Sequence, residues 1–475
     1  MRSRSIVAIL LGTLTLVAAI PAPPADAAPP SSTPGSTSTP HTPQPRVRPT
    51  PLVPMPQELD HGFYRPPASE IVAAERGQIL RARRITAANL GLLPINVDAW
   101  QLTFASTDTR DRPIPAVTTI LKPRGKQRSG PRKVISMQIA EDSTAGWCAP
   151  SYAIQQFSVA SFVGQIVAPA ELLIAQGFLN QGYAVVLPDH EGPEHAYAAG
   201  PLGARITLDS LRAAKQFTAA GITDDSPIGM YGYSGGAIVT GHAAELKKSY
   251  APELNIVGAA EGGVPADLRS LLLAAQNNIT SGLVLGAIVG LAREYDYFEE
   301  FLERRLNLLG KALTLIKGPL CVQQQSFTLP FINNIGLIDW PGGALRAPAV
   351  KRLLRDTRMG KSLPDMPMYI WNSALDEIVP VGQVDTLVRE YCRRPGAQVT
   401  YTRDHLSEHI TAEIAGAPGA LLWLKDRLDG KPATPGCRTR DELTMVTDSR
   451  WWPTFAETIG ADLAALFGKE LGAGR

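Results

Sequence analysis

The pentapeptide Gly232-Tyr233-Ser234-Gly235-Gly236 sets a serine among small residues, between an apolar run that reads as a strand (228–233) and an alanine-led stretch that reads as a helix (237–248). Such a strained strand-to-helix turn lifts a hydroxyl clear of its neighbours and suits it to attack an acyl carbon. A serine is a weak nucleophile at neutral pH, so a histidine must take its proton and a carboxylate must orient that histidine. For a serine on this kind of turn the chain order is Ser, acid, His, and only His242, His405 and His409 follow Ser234. His242 falls inside the helix after the turn, where it points away from the serine and reads as a packing or surface residue. His409, just ahead of a helical segment at 410, is the expected base, with His405 as the alternative. Asp376, after an apolar strand-like run, is the expected acid and Glu377 its substitute; the competing role for Asp376 is to cap a helix ahead of Pro380.

Attack also needs donors aimed at the oxygen on which charge develops, normally the amide after the nucleophile and one from the loop after the third strand. Gly235 supplies the first. The second falls in 138–144, where Asp142 is the candidate; it serves through its backbone N–H or a protonated carboxyl, because an ionised carboxylate would repel the oxyanion. A purely structural Asp142 is the other reading. The segment Asp189-His190-Glu191-Gly192-Pro193-Glu194-His195 has the composition of a metal site. Its histidines are five apart, however, and Gly192-Pro193 breaks the helix a zinc motif needs, so it reads as a loop at the rim of the site. No metal and no cofactor are expected.

The elements that must position these groups alternate. Short apolar runs at 100–106, 116–122, 133–139, 183–187, 228–233, 256–261, 368–372 and 399–402 read as strands, with helical stretches at 208–219, 237–248, 381–392 and 417–428. Alternation of this kind gives an α/β fold with a mainly parallel sheet, in the order of an α/β-hydrolase. It breaks once, over about 264–345, which reads as an inserted, mostly helical cap. Within it the apolar run 282–292 is too short to span a bilayer, and is either a core helix of the cap or a wall of an acyl tunnel. Asn278-Ile279-Thr280 is a formal glycosylation sequon.

The 475 residues carry 46 Lys and Arg against 44 Asp and Glu, a net charge of +2, with 44% hydrophobic and 19% charged residues. That balance recruits neither nucleic acid nor an anionic membrane, and the apolar content suits a large globular core. At the amino end Arg2 and Arg4 precede an apolar run from Ile6 to Ile20 and then Ala25-Asp26-Ala27. This reads as a secretory signal peptide, 1–27, and not as a stable membrane span. Residues 28–58, rich in Pro, Ser and Thr, read as a disordered linker, leaving 59–475 for the hydrolase domain and its cap. Export accords with four cysteines, Cys148, Cys321, Cys392 and Cys437, an even number with no C-x-x-C half-site for zinc. They allow three pairings, and sequence does not choose among them. A monomer is expected, extracellular and open to association with the cell wall.

An ordered set of further motifs surrounds these residues. It comprises Phe63-Tyr64-Arg65-Pro66-Pro67, Glu141-Asp142-Ser143, Cys148-Ala149-Pro150-Ser151-Tyr152, Pro188-Asp189-His190-Glu191-Gly192, Leu208-Asp209-Ser210-Leu211-Arg212-Ala213, Asp376-Glu377-Ile378-Val379-Pro380 and Glu408-His409. Together with the Ser234 turn they resemble the secretory lipase family, which has many actinobacterial members, over most of residues 60 to 437. The resemblance implies a secreted α/β-hydrolase whose cap covers the site and which cleaves lipid esters, triacylglycerols foremost, without a cofactor. It implies a triad of Ser234, Asp376 and His409, an oxyanion hole at Asp142 and Gly235, and disulfides joining Cys148 to Cys321 and Cys392 to Cys437. Transient contact with a lipid interface follows from such a substrate. Short-chain or bulky esters, acyl transfer to an envelope alcohol, and a non-catalytic binding protein on the same scaffold stay open at this level.

Overall fold

In a computed structural model, which describes residues 46–49, 52–125, 127 and 129–472, the described residues build an eleven-stranded sheet. Its strands are β1 (Arg48–Pro49), β2 (Ile79–Ile85), β3 (Val97–Thr107), β4 (Pro113–Pro123), β5 (Val134–Gln138), β6 (Ala184–Pro188), β7 (Ile228–Tyr233), β8 (Ile256–Gly262), β9 (Met368–Ser373), β10 (Gln398–Asp404) and β11 (Gly436–Glu442). Their spatial order is β1-β2-β3-β4-β6-β5-β7-β8-β9-β10-β11. From β6 across to β11 every neighbour is parallel, while β2, β3, β4 and β6 pair antiparallel in turn. Strands β5, β6, β7 and β9 are buried along their whole length, as unbroken apolar runs must be when helices cover both faces of a parallel sheet.

On one face lie the helices Gly200–Gln216 and Gly235–Tyr250 against a core that includes Leu102, Ile120, Val186 and Met230; on the other lie Val167–Asn180 and His409–Leu428 against Ile135, Val185, Tyr231 and Trp371. The sequence places the last strand at 399–402, but β11 follows it, and the helix Trp451–Leu466 then packs on Val167–Asn180. The helices expected at 410 and 417 are one element, which runs through Pro418.

Six helices fill the chain between β8 and β9: Leu268–Ala274, Ser281–Glu294, Asp296–Arg305, Leu308–Lys317, Val322–Phe327 and Pro348–Asp356. The last lies beyond the expected cap limit of 345. Several ties hold this insertion to the core, a disulfide and an arginine among them. Cys148 is bridged to Cys321 with a Cα separation of 5.4 Å, and Arg293 donates to the carbonyls of Thr144 at 2.7 Å and Gly318 at 2.9 Å. The second bridge, Cys392 to Cys437, fastens β11 to the helix Val381–Cys392.

The expected signal peptide and the linker through residue 45 lie outside the described residues. The described end of that linker is structured: Arg48 and Pro49 pair with β2, Gln57 is buried and donates to the Pro193 carbonyl at 3.1 Å, and Glu58 accepts from the Gly146 N–H at 2.6 Å. The domain therefore begins before residue 59. Among the described residues, no helix is long and apolar enough to cross a membrane.

Candidate active site

Ser234 stands at the carboxyl end of β7, where the chain turns into the helix Gly235–Tyr250, with φ of +48°. That left-handed conformation is costly for a residue with a side chain and persists only where the surroundings enforce it. Here the Ser234 N–H is held by the Gly262 carbonyl at 2.9 Å, and Gly236 lies so close to the Gln138 carbonyl that no Cβ could be accommodated. The hydroxyl consequently emerges at the crevice beyond the strand ends, the usual ligand position in such sheets.

Three loops at that edge converge on it. Ser234 Oγ lies 2.9 Å from His409 Nε2, and His409 Nδ1 lies 2.8 Å from Asp376 Oδ2. Asp376 divides its oxygens: Oδ1 accepts the Ile378 and Val379 N–H groups at 3.0 and 2.6 Å, folding its own loop, which leaves Oδ2 for the imidazole. It does not cap the following helix, whose N-cap is Pro380. Glu377, the substitute acid, instead accepts the His409 backbone N–H at 3.1 Å. His405 is turned away, exposed and 2.8 Å from Asp441 on β11. His242 is buried, with Nδ1 2.7 Å from the Ile238 carbonyl, a packing residue of its helix.

Burial alone would lower the His409 pKa, but the Asp376 carboxylate bonded to it, aided by Glu377 and Glu413, holds it above its ordinary 6.5. Asp142, with φ of +44°, faces Gly235 so closely that a Cβ on that glycine would strike the Asp142 carboxyl. Its burial pushes the pKa up to about 7, which keeps much of this carboxyl protonated near neutrality. Gly235 occupies the first turn of its helix, where the N–H has no intrahelical acceptor. Both N–H-rich positions and a neutral carboxyl thus border the space in front of Ser234.

That space is a mainly apolar cavity. Ser234, Gly235 and Asp142 form its floor, and the helix Ser281–Glu294 roofs it with Leu283, Val284, Ala287, Ile288 and Leu291. Val350, Leu353 and Leu354 of Pro348–Asp356 close one wall.

The residues of the metal-like segment have separate engagements. Asp189 accepts the Ser151 N–H at 2.8 Å, His190 Nε2 meets the Ile139 carbonyl at 2.7 Å, and Glu191 accepts the Ser143 N–H at 3.2 Å. Among the described residues there is no group of three or more His, Cys, Asp or Glu that could hold a metal ion.

The family model for secretory lipases matches residues 158–436. Lipase A of Arthroderma benhamiae is 35% identical over 428 residues, spanning 88% of this chain and 90% of the relative. A secreted triacylglycerol lipase of Malassezia furfur is 32% identical, spanning 86% and 84%. The crystal structure of Candida antarctica lipase A superposes with a TM-score of 0.76 at 32% identity, covering 87% of this chain and 95% of that one.

The chain belongs to the secretory lipase family. As a member of it the protein is a secreted ester hydrolase with an α/β-hydrolase fold, which sets aside a non-catalytic scaffold.

Several residues that shape this lipase site carry no motif of their own. Tyr233 OH donates to the His409 carbonyl at 2.5 Å, and Asp404, at the end of β10, accepts from the Leu406, Ser407 and Met445 N–H groups at 2.9, 2.8 and 2.7 Å. Between them they fix the loop that delivers His409.

Proposed function

We propose that this lipase cleaves long-chain acyl esters, triacylglycerols foremost, through an acyl-enzyme on Ser234. The observation that carries the proposal is a serine hydroxyl 2.9 Å from a buried imidazole in the lining of a mainly apolar cavity. His409 takes the Ser234 proton as the hydroxyl adds to the ester carbonyl, and Asp376 steadies the imidazolium that forms. The Gly235 N–H and Asp142 receive the oxyanion. The tetrahedral intermediate collapses with expulsion of the alcohol, which leaves with the proton from His409. Water then repeats the sequence to free the fatty acid and regenerate the serine.

The cavity favours long chains because each buried methylene adds about 0.8 kcal/mol. The outside of the cap supports the same reading. On the helix Leu308–Lys317, Leu308 and Leu315 are 85% and 75% exposed, Leu309 and Ile316 are also exposed, and Phe327 and Phe331 stand exposed nearby in sequence. Inward, Leu313 packs on Leu285 of the roof helix. An apolar surface one helix outside the acyl cavity suits transient contact with a lipid interface. Residues 1–27 act as the export signal, the Pro-rich linker spaces the enzyme from a cell-wall attachment, and the enzyme works as a monomer.

A fluorophosphonate should label the wild-type protein at one site and fail to label Ser234→Ala. Emulsified triacylglycerols and soluble esters of graded chain length then test the substrate. Rates that rise into long acyl chains are expected; a maximum at two to four carbons would overturn the lipase reading in favour of a short-chain esterase.

A further inference from the structure

The loop carrying Asp142 has unusual neighbours. Its Ala140 N–H is held at 2.9 Å by Glu171 Oε1, from the helix Val167–Asn180. On the other side of Asp142, the Ser143 N–H is held at 3.2 Å by Glu191 Oε1, and the Ser143 hydroxyl lies 3.1 Å from Glu191 Oε2. Glu171 and Glu191 are only 1% and 3% exposed. Among the described residues, no lysine or arginine hydrogen-bonds either carboxyl; the charged side chains facing them are other acids, with Arg293 beyond Glu191.

Each belongs to a pair. Glu191 lies beside Glu141, with the Ser143 hydroxyl 3.1 Å from the first carboxyl and 3.3 Å from the second. Glu171 faces Glu413, one helical turn after His409, and Glu171 Oε2, Glu413 Oε1 and the nearby Tyr231 hydroxyl are all buried without a partner. Burial next to a second acid raises the pKa values of Glu141, Glu171 and Glu191 well above the ordinary carboxylate range, and that of Glu413 to about 7. Two such pairs are an expensive way merely to fill space, since a leucine would pack there without desolvating an acid. What a leucine lacks is an acceptor for the N–H groups on either side of Asp142.

We propose that Glu171 and Glu191 are positioning residues that clamp the oxyanion loop, each gripping one backbone N–H beside Asp142 so that this residue keeps its left-handed conformation toward Gly235. The inference rests on Asp142 belonging to the oxyanion hole, as proposed above. Glu171 also faces Glu413, on the helix whose first residue is His409.

The test compares substitutions that keep the acceptor with ones that remove it, on a soluble p-nitrophenyl ester, alongside fluorophosphonate labelling and thermal melting. Glu171→Leu and Glu191→Leu should each lower kcat about 100-fold at nearly constant KM, the loss expected when reacting groups shift by about an ångström. Glu171→Gln and Glu191→Gln keep an oxygen for the N–H and should recover kcat to within about 5-fold of wild type. If a leucine variant does not fold, Glu→Asp at the same position, which withdraws the carboxyl by one methylene, takes its place with the same expectation. Equal losses in the Gln and Leu variants, losses confined to KM, or losses that simply track melting temperature would overturn the clamp. A wild-type protein that resists the fluorophosphonate would instead overturn the functional reading, so the two failures are distinguishable.

Discussion

A neutral imidazole and a protonated carboxyl make opposite demands on pH at this site. His409 accepts the Ser234 proton only when unprotonated, and its pKa sits above 6.5, so activity rises as pH increases through that region. In the proposed role as oxyanion donor, the Asp142 carboxyl acts only while it keeps its proton, so its contribution falls as pH increases through about 7. The product is a bell-shaped dependence with its acid limb set by His409 and its alkaline limb by Asp142. Asp142→Asn supplies a neutral amide at every pH, and its kcat profile should lose the alkaline fall while retaining the acid limb; an alkaline limb unchanged in that variant would show that the carboxyl does not titrate in catalysis. Gly235→Ala tests the same contact sterically. The added methyl must displace the Asp142 carboxyl, and kcat should drop about 100-fold while the protein still melts cooperatively. The Ser234 turn and the order Ser, Asp, His were legible because strained turns and chain order leave marks in sequence. The choice of His409 over His405 was narrower, decided in space by Asp376 on one side and Asp441 on the other.

Among the elements, the roof helix Ser281–Glu294 lines the proposed acyl cavity and is expected to set acyl length. Ala287 is its small residue within the cavity lining, so Ala287→Trp should move the preferred acyl chain several carbons shorter and leave hydrolysis of an acetate or butyrate ester within about 3-fold, read from kcat/KM across a chain-length series. The Cys148–Cys321 bridge spans 173 residues of sequence and ties the cap to the oxyanion side of the core. Losing it, as in a Cys148→Ser, Cys321→Ser double variant, should cost about 2–5 kcal/mol of stability, measured by denaturant unfolding. Each element that escaped the sequence did so for a physical reason of its own. Strand β11, Gly-Cys-Arg-Thr-Arg-Asp-Glu, is exposed along nearly its whole length, so it lacks the apolar alternation by which strands are recognised. The helix His409–Leu428 read as two because Pro418 interrupts it, although tertiary packing carries the helix through. The helix Pro348–Asp356 has only Val350 and Leu353 buried, too short a stripe to separate from a loop.

At the scale of the whole molecule, buried acids dominate the dependence of stability on pH. Asp142, Glu141, Glu171, Asp189, Glu191, Glu261, Glu413 and Asp462 all have pKa values raised by burial. A raised acid contributes fully below its unfolded pKa, and that contribution is lost as pH climbs through the folded value. The surface acids Asp429 and Asp441, and the buried, N–H-bound Asp404, are lowered and act in the opposite sense below about pH 4, while His190 and His195, held neutral at about 4 and 3, also penalise acid. The melting temperature should therefore peak at about pH 5–6.5 and decline by several degrees toward pH 9; a peak on the alkaline side would contradict the burial of these groups.

An open sheet of this width has two frontiers at which a stranger's backbone could add itself, and each is guarded differently. One ends in β1, a two-residue strand finished by proline, and the other in β11, studded with Arg438, Arg440, Asp441 and Glu442 and pinned by its disulfide. Short length, proline and alternating charge all discourage strand addition. Concentrated solutions of this lipase should accordingly resist the fibrillar association that exposed sheet margins invite, and any self-association should instead run through the greasy cap and disappear in detergent.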